Sequence, residues 1–296
     1  MGHSAWPSTA AKQYSLGDRL GIPGRAYHPC GTCSECKDTS RPQSDHAGYS
    51  VFCTQAKNNG ISRNGGFSEY AVVDARQVAP LPDAISAAEA APLMCAGVTI
   101  YAALKRCGLS EGQRVGVVGA GGGLGHLGLA YGTAMGLRVL GVEAADAPLA
   151  LAKSLDTKAT IVDARTEEAS TVVERLGQED GKTDPADMGV DAVIILPESQ
   201  ASLDYGMKLL RNHGICVIVS FPENGFRISP RDLVFRDIRV VGSLVGSNAT
   251  LREMLDFSAK HNIRARTKVF ALDRLNALVE EYHRTQGGKL VVNMSI

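Results

Sequence analysis

The stretch that most restricts how this chain can fold is Gly119-Ala120-Gly121-Gly122-Gly123-Leu124-Gly125. It follows the apolar β-branched run Arg114 to Val118 and opens the apolar helical segment Leu124 to Met135. A glycine turn between a strand and a helix exposes backbone N–H groups at the helix N-terminus, where a pyrophosphate sits without side-chain collision. Ala120 stands in place of the first glycine of the usual six-residue fingerprint, so the context carries the argument. The second strand, Leu137 to Glu143, ends on an acidic residue at the spacing where a carboxylate accepts hydrogen bonds from adenosine ribose hydroxyls. A carboxylate there repels a 2′-phosphate, which favours NAD(H) over NADP(H). The competing reading of Glu143 is a solvated strand end.

Strand and helix signals continue to alternate through Leu149 to Leu155, Thr160 to Val162, Thr171 to Leu176, Asp191 to Leu196, Leu203 to Leu210, Ile215 to Phe221 and Ile238 to Ser243. Apolar strands separated by helices predict a parallel sheet covered on both faces. Upstream, Phe67 to Val73 leaves a Gly-Gly turn and reads as a strand, and the alanine-rich stretch from Ala87 to Leu104 reads as two helical segments. Leu251 to His261 and Leu272 to Arg284 read as helices, and Lys289 to Met294 as a final strand.

Seven cysteines are an odd number in a chain whose start carries no basic, apolar export signal, which argues for metal ligation over a disulfide framework. Cys30, Cys33 and Cys36 are each separated by two residues, and Cys53 closes a group of four within 24 residues. Such spacing lets a tight loop converge thiolates on one tetrahedral zinc. Four thiolates leave no open position, so this zinc would hold a loop and do no chemistry. Solvated loop cysteines are the bland alternative. With 31 basic and 31 acidic side chains and a pI near 7.0, the chain has no charge field for nucleic acid or an acidic membrane. No stretch reads as the roughly 20 apolar residues of a membrane helix. A cytoplasmic protein is expected.

These residues together resemble the zinc-dependent alcohol dehydrogenases of the medium-chain dehydrogenase/reductase superfamily, most closely the fungal tetrameric type. The landmarks, from about Gly17-Asp18 onward, are the cysteine cluster, Asn64 to Tyr70, Leu93 to Thr99, the glycine turn, Val241 to Gly246 and Gly288-Lys289. The resemblance implies an α/β fold: a doubly wound Rossmann sheet plus a split, N-terminally truncated GroES-like β-rich catalytic domain. The implied divisions are residues 1–96 (catalytic, with the structural zinc loop), 97–246 (NAD-binding) and 247–296 (return to the catalytic domain). It implies hydride transfer between an alcohol or carbonyl and NAD(H). It makes Cys30, Cys33, Cys36 and Cys53 structural zinc ligands and Cys95 a remnant of the catalytic zinc set. It makes Thr99, Gly122, Gly123, Leu124, Glu143, Ser243, Val245 and Lys289 cofactor contacts. For Cys95 the alternative is a buried apolar cysteine; for Lys289, a solvated lysine before an edge strand. A homodimer or homotetramer is implied, with Ile238 to Ser243 and its neighbours as the pairing region.

Three departures from the family pattern qualify the mechanism. The segment holding the first catalytic zinc cysteine and its proton relay is absent; Gly2-His3-Ser4 is at best a coincidental match to the Gly-His-Glu element; and Lys37 to Val51 carries an insertion of about nine residues, tolerable because closing a longer loop costs only fractions of a kcal/mol. The expectation is retained NAD binding with weak or absent alcohol turnover. The alternative is an NAD-binding relative with an incomplete catalytic zinc site; a zinc-free quinone-reductase type would leave the thiols unexplained.

Overall fold

The computed structural model describes residues 10–40, 49–284 and 287–294. Its centre is a six-stranded parallel sheet formed by β1 (Arg114–Val118), β2 (Arg138–Glu143), β3 (Thr160–Asp163), β4 (Val190–Ile195), β5 (Leu210–Ile218) and β6 (Arg239–Gly242). The strand order is β6-β5-β4-β1-β2-β3, so the chain reverses its direction of travel across the sheet beside β1. Crevices at such a reversal, outside the carboxyl ends of the strands, are where open α/β sheets bind ligands. Every residue of β1 is buried. Successive side chains point to opposite faces, so Val115 and Val117 pack into one apolar cluster with Leu127, Leu129 and Leu251. Val118 joins Leu176, Val193, Ile195 and Leu203 on the other face. This two-sided burial is why the strand reads as an apolar run from Val115 onward.

Helix α1 (Ala87–Pro92) starts on a capping box, in which the Ser86 hydroxyl accepts from the Glu89 amide and the Glu89 carboxylate accepts from the Ser86 amide. Pro92 lies inside this run, followed by a wide π-helical turn over Leu93–Gly97 and then α2 (Val98–Arg106). The two expected helices are therefore one continuous helical passage, Ala87–Arg106, with the turn wound around Cys95. At 20 residues and mean hydropathy 1.4 this passage is long and apolar enough to cross a bilayer, contrary to the sequence expectation, but 72% of it is buried inside the protein. It is a core helix.

The remaining helices are α3 (Gly125–Ala134), α4 (Asp146–Ser154), α5 (Ala169–Glu179), α6 (Gln200–Leu209), α7 (Pro230–Phe235), α8 (Asn248–Lys260) and α9 (Leu275–His283). The final strand β8 (Lys289–Asn293) pairs in parallel with β7 (Thr267–Ala271), Thr267 opposite Lys289. The sequence reading missed β7 and α7, whose exposed, mixed patterns carry no clean period. Two short antiparallel pairs, Leu20–Gly21 with Ala79–Pro80 and Arg25–Tyr27 with Lys57–Asn58, organise the N-terminal region.

The strand expected at Phe67 to Val73 is not formed. Its aromatic and β-branched residues suit a strand, but a strand also needs a neighbouring backbone to complete its hydrogen bonds. No described residue supplies one, and Phe67, Tyr70 and Val72 are exposed.

Candidate functional site

The glycine turn is built by contacts that only glycine permits. At Gly119 φ is +85°, a left-handed value. A Cβ on Gly121 would lie 1.8 Å from the Pro148 carbonyl oxygen, and one on Gly125 would lie 2.0 Å from the Gly119 carbonyl oxygen. The chain therefore folds back on itself ahead of α3. No side chain caps that helix, and the amides of Gly123 and Leu124 make no hydrogen bond to any described residue. Those free N–H groups and the positive end of the helix dipole form an anion site.

Glu143, at the end of β2, reaches this turn. Its carboxylate accepts from the Gly121 amide at 3.0 Å and from the Ala144 amide at 2.9 Å. The same residue lines a cavity of about 230 Å³ with Gly119, Ala164, Pro197 and Ser202. A carboxylate on one wall of such a crevice can accept hydrogen bonds from vicinal hydroxyls.

Lys289, at the start of β8, covers the other side of the turn. A Cβ on Gly123 would stand 2.8 Å from its Cε and 2.9 Å from its Nζ. Burial lowers the Lys289 pKa, and the nearby Cys95 sulfur opposes that shift. One ammonium thus lies beside the free amide of Gly123. The Cys95 thiol is exposed, so the buried apolar reading is excluded. Thr99 sits one turn further along the helix and its hydroxyl donates to the Cys95 carbonyl at 2.6 Å. Ser243 is buried just beyond β6, its amide donating to Ile218, and Val245 adopts a φ of +37° in the loop that follows. Gly122, Gly123, Leu124 and Lys289 are brought together, and Glu143 bonds the same turn at Gly121.

The cysteine cluster is compact. The sulfurs of Cys30, Cys33, Cys36 and Cys53 all lie within 4.8 Å of one another, with Cys33 and Cys53 3.9 Å apart. Thiolates about 2.3 Å from a tetrahedral zinc stand about 3.8 Å apart, so this donor set fits zinc. The helical turn Ser34–Lys37 carries Cys36 inward. Hydrogen bonds from Thr32 and Cys33 lower the Cys30 pKa to about 5, whereas burial raises that of Cys36 to about 11. A cation bound among the sulfurs would favour the thiolate at both. Arg76 fixes the loop from outside, forked onto buried Asp74 and stacked over the Tyr49 ring.

A second metal centre does not fit the described residues. Among them, the four-cysteine cluster is the sole grouping of three or more metal-binding side chains, and Cys95 is not in it. The Gly2-His3-Ser4 element lies outside the described residues, as does much of the Lys37 to Val51 loop.

The fold and these sites define a zinc-containing, dinucleotide-binding dehydrogenase, and comparison with known proteins agrees. Residues 5–83 match the alcohol dehydrogenase GroES-like domain and residues 123–260 match the zinc-binding dehydrogenase family. The chain is 33% identical over 280 residues to an alcohol dehydrogenase of Geobacillus stearothermophilus, covering 94% of this chain and 77% of the relative. It is 32% identical to alcohol dehydrogenase 1 of Emericella nidulans, covering 95% and 76%. The alcohol dehydrogenase structure from Aeropyrum pernix superposes with a TM-score of 0.74 at 27% identity, covering 92% of this chain and 75% of that one. The chain belongs to the zinc-binding alcohol dehydrogenase family of the medium-chain dehydrogenase/reductase superfamily. The likeness begins well before Gly17-Asp18, where the sequence reading had put it. These matches support the dehydrogenase reading over a non-catalytic cofactor-binding one.

The sequence reading overlooked His126. It follows the turn directly and is 1% exposed with both ring nitrogens engaged. A histidine inside an otherwise apolar helix of small residues was the available signal.

Proposed function

We propose that this chain is an NAD(H)-dependent oxidoreductase that interconverts a small alcohol and its carbonyl. The observation that carries the reading is the single turn that Glu143 bonds at Gly121 and Lys289 overlies at Gly123. A bound dinucleotide supplies the nicotinamide that gives or takes the hydride. The Gly123 and Leu124 amides and the Lys289 ammonium hold the diphosphate. Glu143 exchanges its bond to the Gly121 amide for the adenosine ribose hydroxyls and repels a 2′-phosphate, which supports NAD(H) over NADP(H). The four-cysteine zinc anchors the loop beside Arg76 and takes no part in chemistry.

Kinship with the fungal type rests on the Emericella enzyme, although the Geobacillus enzyme is equally similar. A homodimer or homotetramer is supported by the free edge of β6 and by Phe221, Val234 and Phe235, which are 84%, 74% and 75% exposed. Light scattering tests it, and a monomer at working concentration refutes it. Thiolate ligands need a reducing compartment, which supports a cytoplasmic location.

The deciding experiment is calorimetry with NADH and NADPH, followed by nicotinamide absorbance with a panel of primary and secondary alcohols and their carbonyls. The expected result is tighter binding of NADH and turnover of at least one pair. Folded protein that binds neither dinucleotide refutes the assignment.

A further inference from the structure

Arg266 N–H donates to His126 Nε2 at 3.1 Å, which leaves that nitrogen only the acceptor role. The Nδ1–H therefore donates to the Gly122 carbonyl at 2.9 Å. Both partners are backbone groups of fixed polarity, so the ring is held in one neutral tautomer. Burial is the main reason it stays neutral, and the charges of Lys289 and Arg266 act in the same direction, against the Gly122 hydrogen bond.

Each contact bears on the anion site. The peptide joining Gly122 to Gly123 is planar, so anchoring the Gly122 carbonyl on one side fixes the direction of the Gly123 N–H on the other. That N–H is one of the free donors of the turn. Glycine backbone has wide conformational freedom, and the ring adds a second, side-chain hold to the one the His126 backbone amide already makes on the Gly122 carbonyl at 3.2 Å. The second contact runs to β7 and β8. Arg266 donates to His126 through its amide and accepts the Lys289 amide at its carbonyl at 2.8 Å. Lys289 in turn lays its ammonium over Gly123. The Gly288 amide, 3.4 Å from the Gly121 carbonyl, closes the same circuit. One buried imidazole thus sets both the amide and the ammonium that face the anion.

We propose that His126 is a positioning residue for diphosphate binding, locking the Gly122–Gly123 peptide and the Lys289 strand into one receptor for the dinucleotide. This rests on the reading that the turn holds a dinucleotide. The test compares two ligands on the full chain. NADH spans the diphosphate site, whereas adenosine engages only the Glu143 side.

His126→Leu removes both ring contacts while keeping an apolar side chain in the pocket. The expected result is a loss of NADH affinity by calorimetry of about tenfold or more, with adenosine binding by NMR titration unchanged. His126→Asn keeps a donor near the Nδ1 position, and His126→Gln puts an acceptor near the Nε2 position. Each is expected to lie between wild type and His126→Leu. They carry the test if the leucine variant does not fold. NADH affinity within twofold of wild type in the folded variants overturns the proposal. So does an equal loss for NADH and adenosine, which marks a general structural role. Wild-type protein that binds adenosine but not NADH instead overturns the dinucleotide reading itself.

Discussion

The buried imidazole makes the protein sensitive to mild acid in a calculable way. In the unfolded chain His126 titrates near pH 6.5, and burial lowers this to about 4 in the folded protein. A folded-state pKa below the unfolded one means that the unfolded chain binds the proton more readily. Stability is therefore full above pH 6.5, falls as the pH drops, and levels off below about 4. At 1.36 kcal/mol per pH unit, this one group accounts for about 2 kcal/mol of loss at pH 5. Glu89, Glu281 and Asp163 have lowered pKa values from their hydrogen-bond partners and lose their contributions only at lower pH. The Cys30 thiol, lowered to about 5, also loses its contribution as the pH falls towards 5, so only the difference between wild type and a His126 variant assigns the loss to the imidazole. Urea unfolding followed by circular dichroism at pH 7.5 and pH 5, on wild type and His126→Gln, isolates the term by difference. Wild type should lose about 2 kcal/mol more than the variant between the two pH values. Equal losses in the two proteins would show that His126 does not stay neutral in the fold.

Glu143→Ala removes a charged acceptor from the ribose crevice and should weaken NADH binding by about ten- to a hundredfold, narrowing the gap to NADPH; an unchanged NADH-to-NADPH ratio counts against the assigned role. Cys53→Ser breaks the four-sulfur set and should lower the zinc content by one ion per chain, measured by atomic absorption. Releasing a loop of 24 residues costs about 3 kcal/mol if the metal acts as a cross-link, so the melting temperature should also fall. Gly121→Ala directs a methyl into the Pro148 carbonyl and should abolish NADH binding in calorimetry, with intact affinity refuting the tight turn.

Much of this was legible along the chain because it depends on local order. The runs Val115–Val118 in β1 and Ala192–Ile195 in β4 are apolar because both faces are covered, and that cover can be inferred from the helices between them. The four sulfurs announce themselves by spacing, since a short loop has few other ways to converge them. The segment Phe67 to Val73 shows the limit of such inference, because a turn followed by strand-forming residues does not say whether a partner backbone exists.

The sequence by itself determined the central sheet, the turn that only glycine can make, the acidic residue beside it and the thiolate cluster. Each follows from residue types close together in the chain. Tertiary structure decided that Lys289 lies over Gly123, that Ala87–Arg106 is largely buried rather than membrane-spanning, and that His126 is neutral. These depend on contacts between residues far apart in sequence, as in the 140-residue separation between His126 and Arg266. No local pattern encodes such a contact, because burial and hydrogen-bond partners exist only once the chain has closed on itself.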